Sequence, residues 1–171
     1  MMISPFQTQR PQSSSIDMGN LSNLVTDPLD TKFEETLYIL SHEIMHRWGA
    51  YVKYKDADGS LSTALLGKEQ DHWSYLLSSG GSVLYGNQWQ DNGNGTFTST
   101  TPQLKMRYYS PLDQYLMGMI DKSKVPAMVL IDSPGQDATQ LPASGVTITG
   151  TTKTVTIDDI IAATGARVHD A

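Results

Sequence analysis

The 171 residues include no cysteine, which excludes disulfides and thiolate metal sites. Long apolar runs are missing too. Nothing approaches the ~20 residues that an apolar helix needs to cross a bilayer. Positive charge is scarce, with 12 Lys and Arg against 18 Asp and Glu, for a net charge of −6. Basic residues nowhere cluster beyond two or three, so the chain lacks the concentrated positive field that nucleic-acid phosphates require. Charged residues make up only 18%, below the quarter or so of an ordinary soluble chain. Gly, Ser, Thr and Asn take their place and imply many turns and exposed loops. The opening residues are polar, without the apolar stretch of a secretory signal. The expectation is a cytosolic protein, or a secreted or cell-envelope one if an export signal lies outside these residues. The abrupt ends suit a fragment of a longer precursor.

What is present suffices for one domain. A hydrophobic content of 39% can supply a core, and the length is too short for two comfortable domains. Residues 1–30 read as irregular, and residues 31–171 as the folded domain. Thr31-Lys32-Phe33-Glu34 has the spacing of a capping box. Phe33, Leu37, Leu40, Ile44 and Trp48 then recur at helical intervals, which predicts a helix through Trp48 with that stripe buried. Gly49 either ends the helix or lets the backbone pass close to a neighbour. Asp91-Asn92-Gly93-Asn94-Gly95 predicts a hairpin turn. Ser110-Pro111 opens a second helix over about 110–119, with Ser as cap and Pro at the first helical position. A strand is expected at 125–131, and two more at 146–149 and 154–157 joined by a turn at Gly150. Asp158 or Asp159 should cap a short last helix that stops at Gly165. The fold class is α+β.

His42-Glu43-Ile44-Met45-His46 is the motif that carries chemistry. Four residues are little more than one helical turn, so both imidazoles project from one face and can share an ion at about 2.0–2.1 Å. Glu43 is turned by about 100° from His42. From there it reaches a water on the open side of the ion, whose pKa zinc lowers to roughly 7. A catalytic zinc site takes three protein ligands, and the other histidines are His72 and His169. His169 lies near the end of the chain and carries little weight.

His46-Arg47-Trp48-Gly49 extends the motif by two residues and a glycine, and here the chain resembles metzincin-type zinc peptidases. In most of that clan a third histidine follows directly after the glycine turn, where this chain has Tyr51 and Val52. The likeness is closer to leishmanolysin-like members, in which an insertion separates the glycine from a His-Trp pair ahead of a methionine turn. His72-Trp73 is similar to that pair. Ser82-Val83-Leu84 falls where the turn would stand, with Leu84 in place of methionine. The resemblance covers residues 31–86. The segment through Tyr109-Ser110-Pro111-Leu112-Asp113 is also similar to uncharacterised bacterial proteins described as metallopeptidases. It implies a zincin-like domain with an active-site helix at about 31–49 and His72 as third ligand.

Asp113 is the rival ligand, because gluzincin-like sites take an acid from a second helix downstream. It stands below His72, since zinc favours imidazole in such sites, and since Ser110 to Asp113 also spells a capping box. Glu69 and Asp71 are lesser candidates, or acceptors for a ligating histidine. Tyr85, Tyr108 or Tyr109 can offer a phenol to an oxyanion, and Arg107 can bind a carboxylate. The Asp- and Asn-rich loops at 56–59 and 91–95 have oxygen ligands that suit calcium, although tight-turn chemistry explains both. The expected function is a zinc-dependent peptidase acting on a peptide or protein, with Glu43 as general base and no nucleic-acid or membrane partner. One alternative is a non-catalytic zinc domain, closed by both His72 and Asp113. The other is a binding module in which the motif is incidental.

Overall fold

A computed structural model describes residues 16, 18–100 and 108–167 of the chain. The architecture is α+β. Three α-helices, α1 (Phe33–Met45), α2 (Pro111–Met117) and α3 (Ile157–Thr164), pack with short strands β1 to β9 in three sheets. No helix among the described residues is long and apolar enough to cross a membrane. Within 18–30 the only regular element is a 3-10 turn at Leu21–Asn23.

The first helix departs from its sequence signals. Lys32 is the N-cap, and no side chain caps the helix, so the box expected between Thr31 and Glu34 does not form. Asp30 organises the entry instead: its carboxylate accepts from Lys32 N at 2.8 Å and its carbonyl from Phe33 N at 3.0 Å. Glu34 and Glu35 in the first turn still meet the positive end of the helix dipole. The helix stops at Met45, not at Trp48. Arg47 N and Trp48 N bond three residues back, to Ile44 O at 3.2 Å and Met45 O at 2.9 Å, tightening the chain out of the α-helix.

The buried face is also displaced from the expected stripe. Leu37 is 45% exposed, whereas Met45 is fully buried. The face turned inward runs through Tyr38, His42 and Met45, at helical spacing. Tyr38 and Trp48 pack against the main core. Gly49 sits where a Cβ would lie 2.5 Å from Met45 Cε and 3.1 Å from Leu84 Cδ1. The backbone thus passes close to both side chains, and Ala50 after it is left-handed (φ 58°).

β1 (Tyr54–Lys55) and β2 (Leu61–Ser62) form a hairpin around the Asp56 to Gly59 turn. A four-stranded sheet has the order β4-β3-β7-β9. β3 (Trp73–Ser78) lies inside it, almost wholly buried, parallel to β4 (Tyr85–Asn87) and antiparallel to β7 (Met128–Asp132). β9 (Thr151–Val155) pairs with β7. The third sheet has the order β5-β6-β8, from Trp89–Asp91, Thr96–Ser99 and Thr147–Thr149, with the expected hairpin at 91–96. β8 and β9 thus follow each other in sequence but belong to different sheets. Gly150 is the crossing point, and a Cβ there would stand 2.5 Å from the Asp132 carbonyl oxygen.

Helices α2 and α3 start with the same device. Ser110 caps α2 and Thr156 caps α3, each with a reciprocal bond from the third helical residue, Asp113 and Asp159. The cap of α3 is therefore Thr156 and neither aspartate. The main core draws on α1, α2, α3, β1, β3, β7 and β9, and a smaller cluster of Trp89, Phe97, Ile131 and Ile148 joins the sheets.

Gly150→Ala tests the crossing. Alanine normally stabilises a glycine site by restricting the unfolded chain. Here the contact is with backbone, which cannot rotate away, and a net loss of about 1–3 kcal/mol is expected. Urea denaturation measures it, and an unchanged or raised midpoint would contradict the close packing.

Candidate metal centre

Three imidazoles converge where α1 ends. His42 lies in the last turn of α1, and His46 is its C-cap, still helical at φ −56° and ψ −17°. One turn therefore separates them, and His46 Nε2 is 3.1 Å from His42 Nε2. His72 arrives from the chain just before β3. The 3-10 turn Lys68–Gln70 leads into it, with Glu69 and Gln70 both left-handed (φ 56° and 61°). His72 is buried, 5% exposed, and its Nε2 is 3.3 Å from that of His42.

The opposite nitrogens fix the tautomers. His42 Nδ1 is 2.7 Å from the Val83 carbonyl, which only accepts, so Nδ1 carries the hydrogen. His72 Nδ1 faces acceptors as well, Asp71 Oδ1 at 2.5 Å and Lys68 O at 3.2 Å. Both Nε2 atoms are then bare lone pairs, 3.3 Å apart. Such a contact is repulsive without a cation between them.

On His42 a proton serves poorly as that cation. Burial strips water from His42 and lowers its pKa to about 4. The Val83 carbonyl opposes that fall, while His46 and His72 add to it. A tetrahedral ion with 2.0–2.1 Å bonds, by contrast, sets neighbouring ligand nitrogens about 3.3 Å apart. The separations of 3.1 and 3.3 Å fit that requirement. His42, His46 and His72 can therefore hold a metal ion, and Asp71 behind His72 makes the carboxylate–imidazole pairing that orients such ligands.

No family model matches the chain, and no curated protein or solved structure is detectably similar to it. The chemistry rests on the side chains themselves.

The structure sorts the other expected residues. Glu43, half-buried beside His42, is not among the converging ligand atoms. Asp113 is not among them either. Its Oδ1 accepts from the Trp73 indole at 2.8 Å and its Oδ2 from Ser110 N at 2.7 Å. Of the two lesser acids, Asp71 is the acceptor for His72. Glu69 is exposed and lies 3.6 Å from Lys68 Nζ, and groups with Asp71 and His72 rather than with all three imidazoles.

Among the tyrosines, Tyr85 belongs to the centre. Its ring stacks on His72 at 4.5 Å and 10°, and lies 5.3 Å from His42. Its φ of 86° is uncommon for a bulky residue and is closed in by Tyr85 N bonding Ser82 O at 2.9 Å. Burial first, then the charges of Glu43, Glu69 and Asp71, raise its pKa, so the phenol stays neutral. The other two serve the fold: Tyr108 donates to Gly80 O, and Tyr109 to Ser41 O at 3.1 Å. Leu84, in the methionine position of the resemblance, is fully buried against the Gly49 backbone. The two loops considered for calcium use their oxygens in their own turns or with Lys153, which pairs with Asp56. Arg107 and His169 lie outside the described residues. The Val83 carbonyl had no signal in the sequence, since every residue offers one.

The lowered pKa of His42 gives a pH test on metal-free protein. Unfolded His42 takes a proton near pH 6.5, the folded residue only near 4. The unfolded state binds more protons across that window, so stability falls as pH drops from about 6.5 to about 4 and levels off below. Urea titrations in the presence of a chelator should show this loss in wild type and less of it in His42→Gln. Parallel curves for the two proteins would contradict the assignment.

Proposed function

We propose that this chain is a zincin-like metal-dependent hydrolase, and specifically a zinc peptidase, with His42, His46 and His72 as ligands and Glu43 as general base. The observation that carries the reading is the meeting of the His42 and His72 lone pairs beside His46. Three neutral imidazoles favour zinc over the harder calcium or magnesium. Three protein ligands also leave a tetrahedral ion one open position, which is the catalytic arrangement.

Bound zinc supplies Lewis acidity, which polarises an amide carbonyl and makes water a usable nucleophile near neutral pH. The chain's own residues do the rest. The Val83 carbonyl and Asp71 hold two imidazoles in the binding tautomer. Glu43, turned by about 100° around the helix from His42, stays off the ligand set. It takes the proton of the attacking water and delivers it to the leaving amine. Tyr85 covers one face of His72 and restricts its rotation. Peptide or protein is the substrate class that the leishmanolysin-like spacing of His46, Gly49 and His72-Trp73 favours.

Purified protein should carry about one zinc per chain by elemental analysis, and His42→Ala or His46→Ala should abolish it. Full occupancy in both variants would end the reading. Glu43→Gln should keep the metal and the fold yet lose hydrolysis of a broad peptide library by at least the ~10²-fold expected for a missing general base. Hydrolysis that survives Glu43→Gln would remove the base from the mechanism.

A further inference from the structure

Asp113 is fully buried, which is rare for an aspartate. Helix capping does not account for it. Asp159 occupies the same position in the same box of α3, remains half-buried, and directs its bonds to Thr156 alone, N at 2.8 Å and Oγ1 at 2.6 Å. Asp113 makes the corresponding bonds with Ser110 and reaches further. Its Oδ1 accepts from Trp73 Nε1 at 2.8 Å, and the Ser82 side chain also favours its charged form.

Those two residues adjoin the metal ligands. Trp73 directly follows His72. Ser82 directly precedes Val83, whose carbonyl holds His42. Ser82 Oγ further accepts from Leu84 N at 2.8 Å, and Leu84 O accepts from Trp73 N at 2.9 Å. The strand start that carries His72 and the turn that aims His42 are thus joined by a chain of bonds, and the Asp113 carboxylate anchors its Trp73 end.

We infer that Asp113 is a positioning residue for the metal centre, setting the distance between the His42 and His72 nitrogens by tying Trp73, and through it the turn at Leu84, to the start of α2. This inference rests on the metal-centre reading above. Without the carboxylate, the buried Trp73 indole N–H loses its acceptor, and the strand start can shift against the turn. Metal affinity should then fall although all three ligands remain.

The test uses the full chain and cobalt(II), with affinity read by chelator competition and ligand geometry by the visible absorption bands. Asp113→Asn keeps the size but sets an NH2 against donors. Ser82→Ala and Trp73→Phe each remove one link and leave the capping box intact, so they report even if Asp113→Asn fails to fold. Each is expected to bind cobalt about 10–100-fold more weakly, the usual effect of disturbing groups behind the ligands, with altered bands. Asp159→Asn is the control, because it breaks the equivalent box of α3 and should lower the melting temperature with affinity and spectrum unchanged. Wild-type affinity and bands in Ser82→Ala, Trp73→Phe and any folded Asp113→Asn would overturn this inference alone. A wild-type protein that binds no cobalt and no zinc would overturn the metal reading and this inference with it.

Discussion

The centre depends on one hydrogen bond, from His42 Nδ1 to the Val83 carbonyl at 2.7 Å. It places the hydrogen on the nitrogen that faces backbone and leaves the lone pair on the nitrogen that faces His72. It also rotates α1 about its axis. With His42 drawn inward, Met45 and Tyr38 follow it, and Leu37 turns to solvent. A polar contact has overridden the arrangement that hydrophobic spacing alone would favour. The exchange is reasonable energetically. A buried ring donor without an acceptor costs about 1–3 kcal/mol, comparable to the ~1.5–3 kcal/mol gained by burying one leucine.

The carbonyl can be reached because the chain from Ser82 to Tyr85 is held tightly. Tyr85 N bonds Ser82 O, Leu84 N bonds Ser82 Oγ, and Val83 N bonds Tyr108 O at 3.0 Å. Leu84 fills the space below the Gly49 backbone, where the resemblance implied methionine. Leucine and methionine are similar in volume, an exchange that cores tolerate well. Tyr85 then leaves this turn in a left-handed conformation and lays its ring over His72, backed in turn by Tyr75 at 5.5 Å. The ligands are thus held from several sides before any ion arrives. Such preorganisation lowers the ordering cost of binding.

Local devices with the same sequence form had different fates. The boxes at Ser110 and Thr156 form, whereas the one spelled by Thr31 and Glu34 does not. The two helices that form boxes, α2 and α3, bury a first-turn residue, Leu112 and Ile157, so their start points are fixed by packing. The start of α1 is exposed, and Asp30 takes the neighbouring backbone donors Lys32 N and Phe33 N. Exposure left the choice to local hydrogen-bond competition, which spacing alone does not resolve.

Apart from the exposed start of α1, interactions within about four residues were determined by the sequence itself, because backbone geometry fixes what lies one turn or one hairpin away. The facing of His42 and His46, the caps at Ser110 and the hairpin at Gly93 are of this kind. So is the close approach of the Gly49 backbone to Met45, four residues before it. Tertiary structure alone decided the rest. His72 meets His42 across 30 positions and Val83 meets it across 41. Asp113 was drawn instead to the Trp73 indole, 40 positions away. β8 and β9 were sent to separate sheets by pairing with β6 and β7. Contacts at such separations depend on which surfaces pack and which buried donors still need an acceptor, and neither is a property of any short stretch of chain.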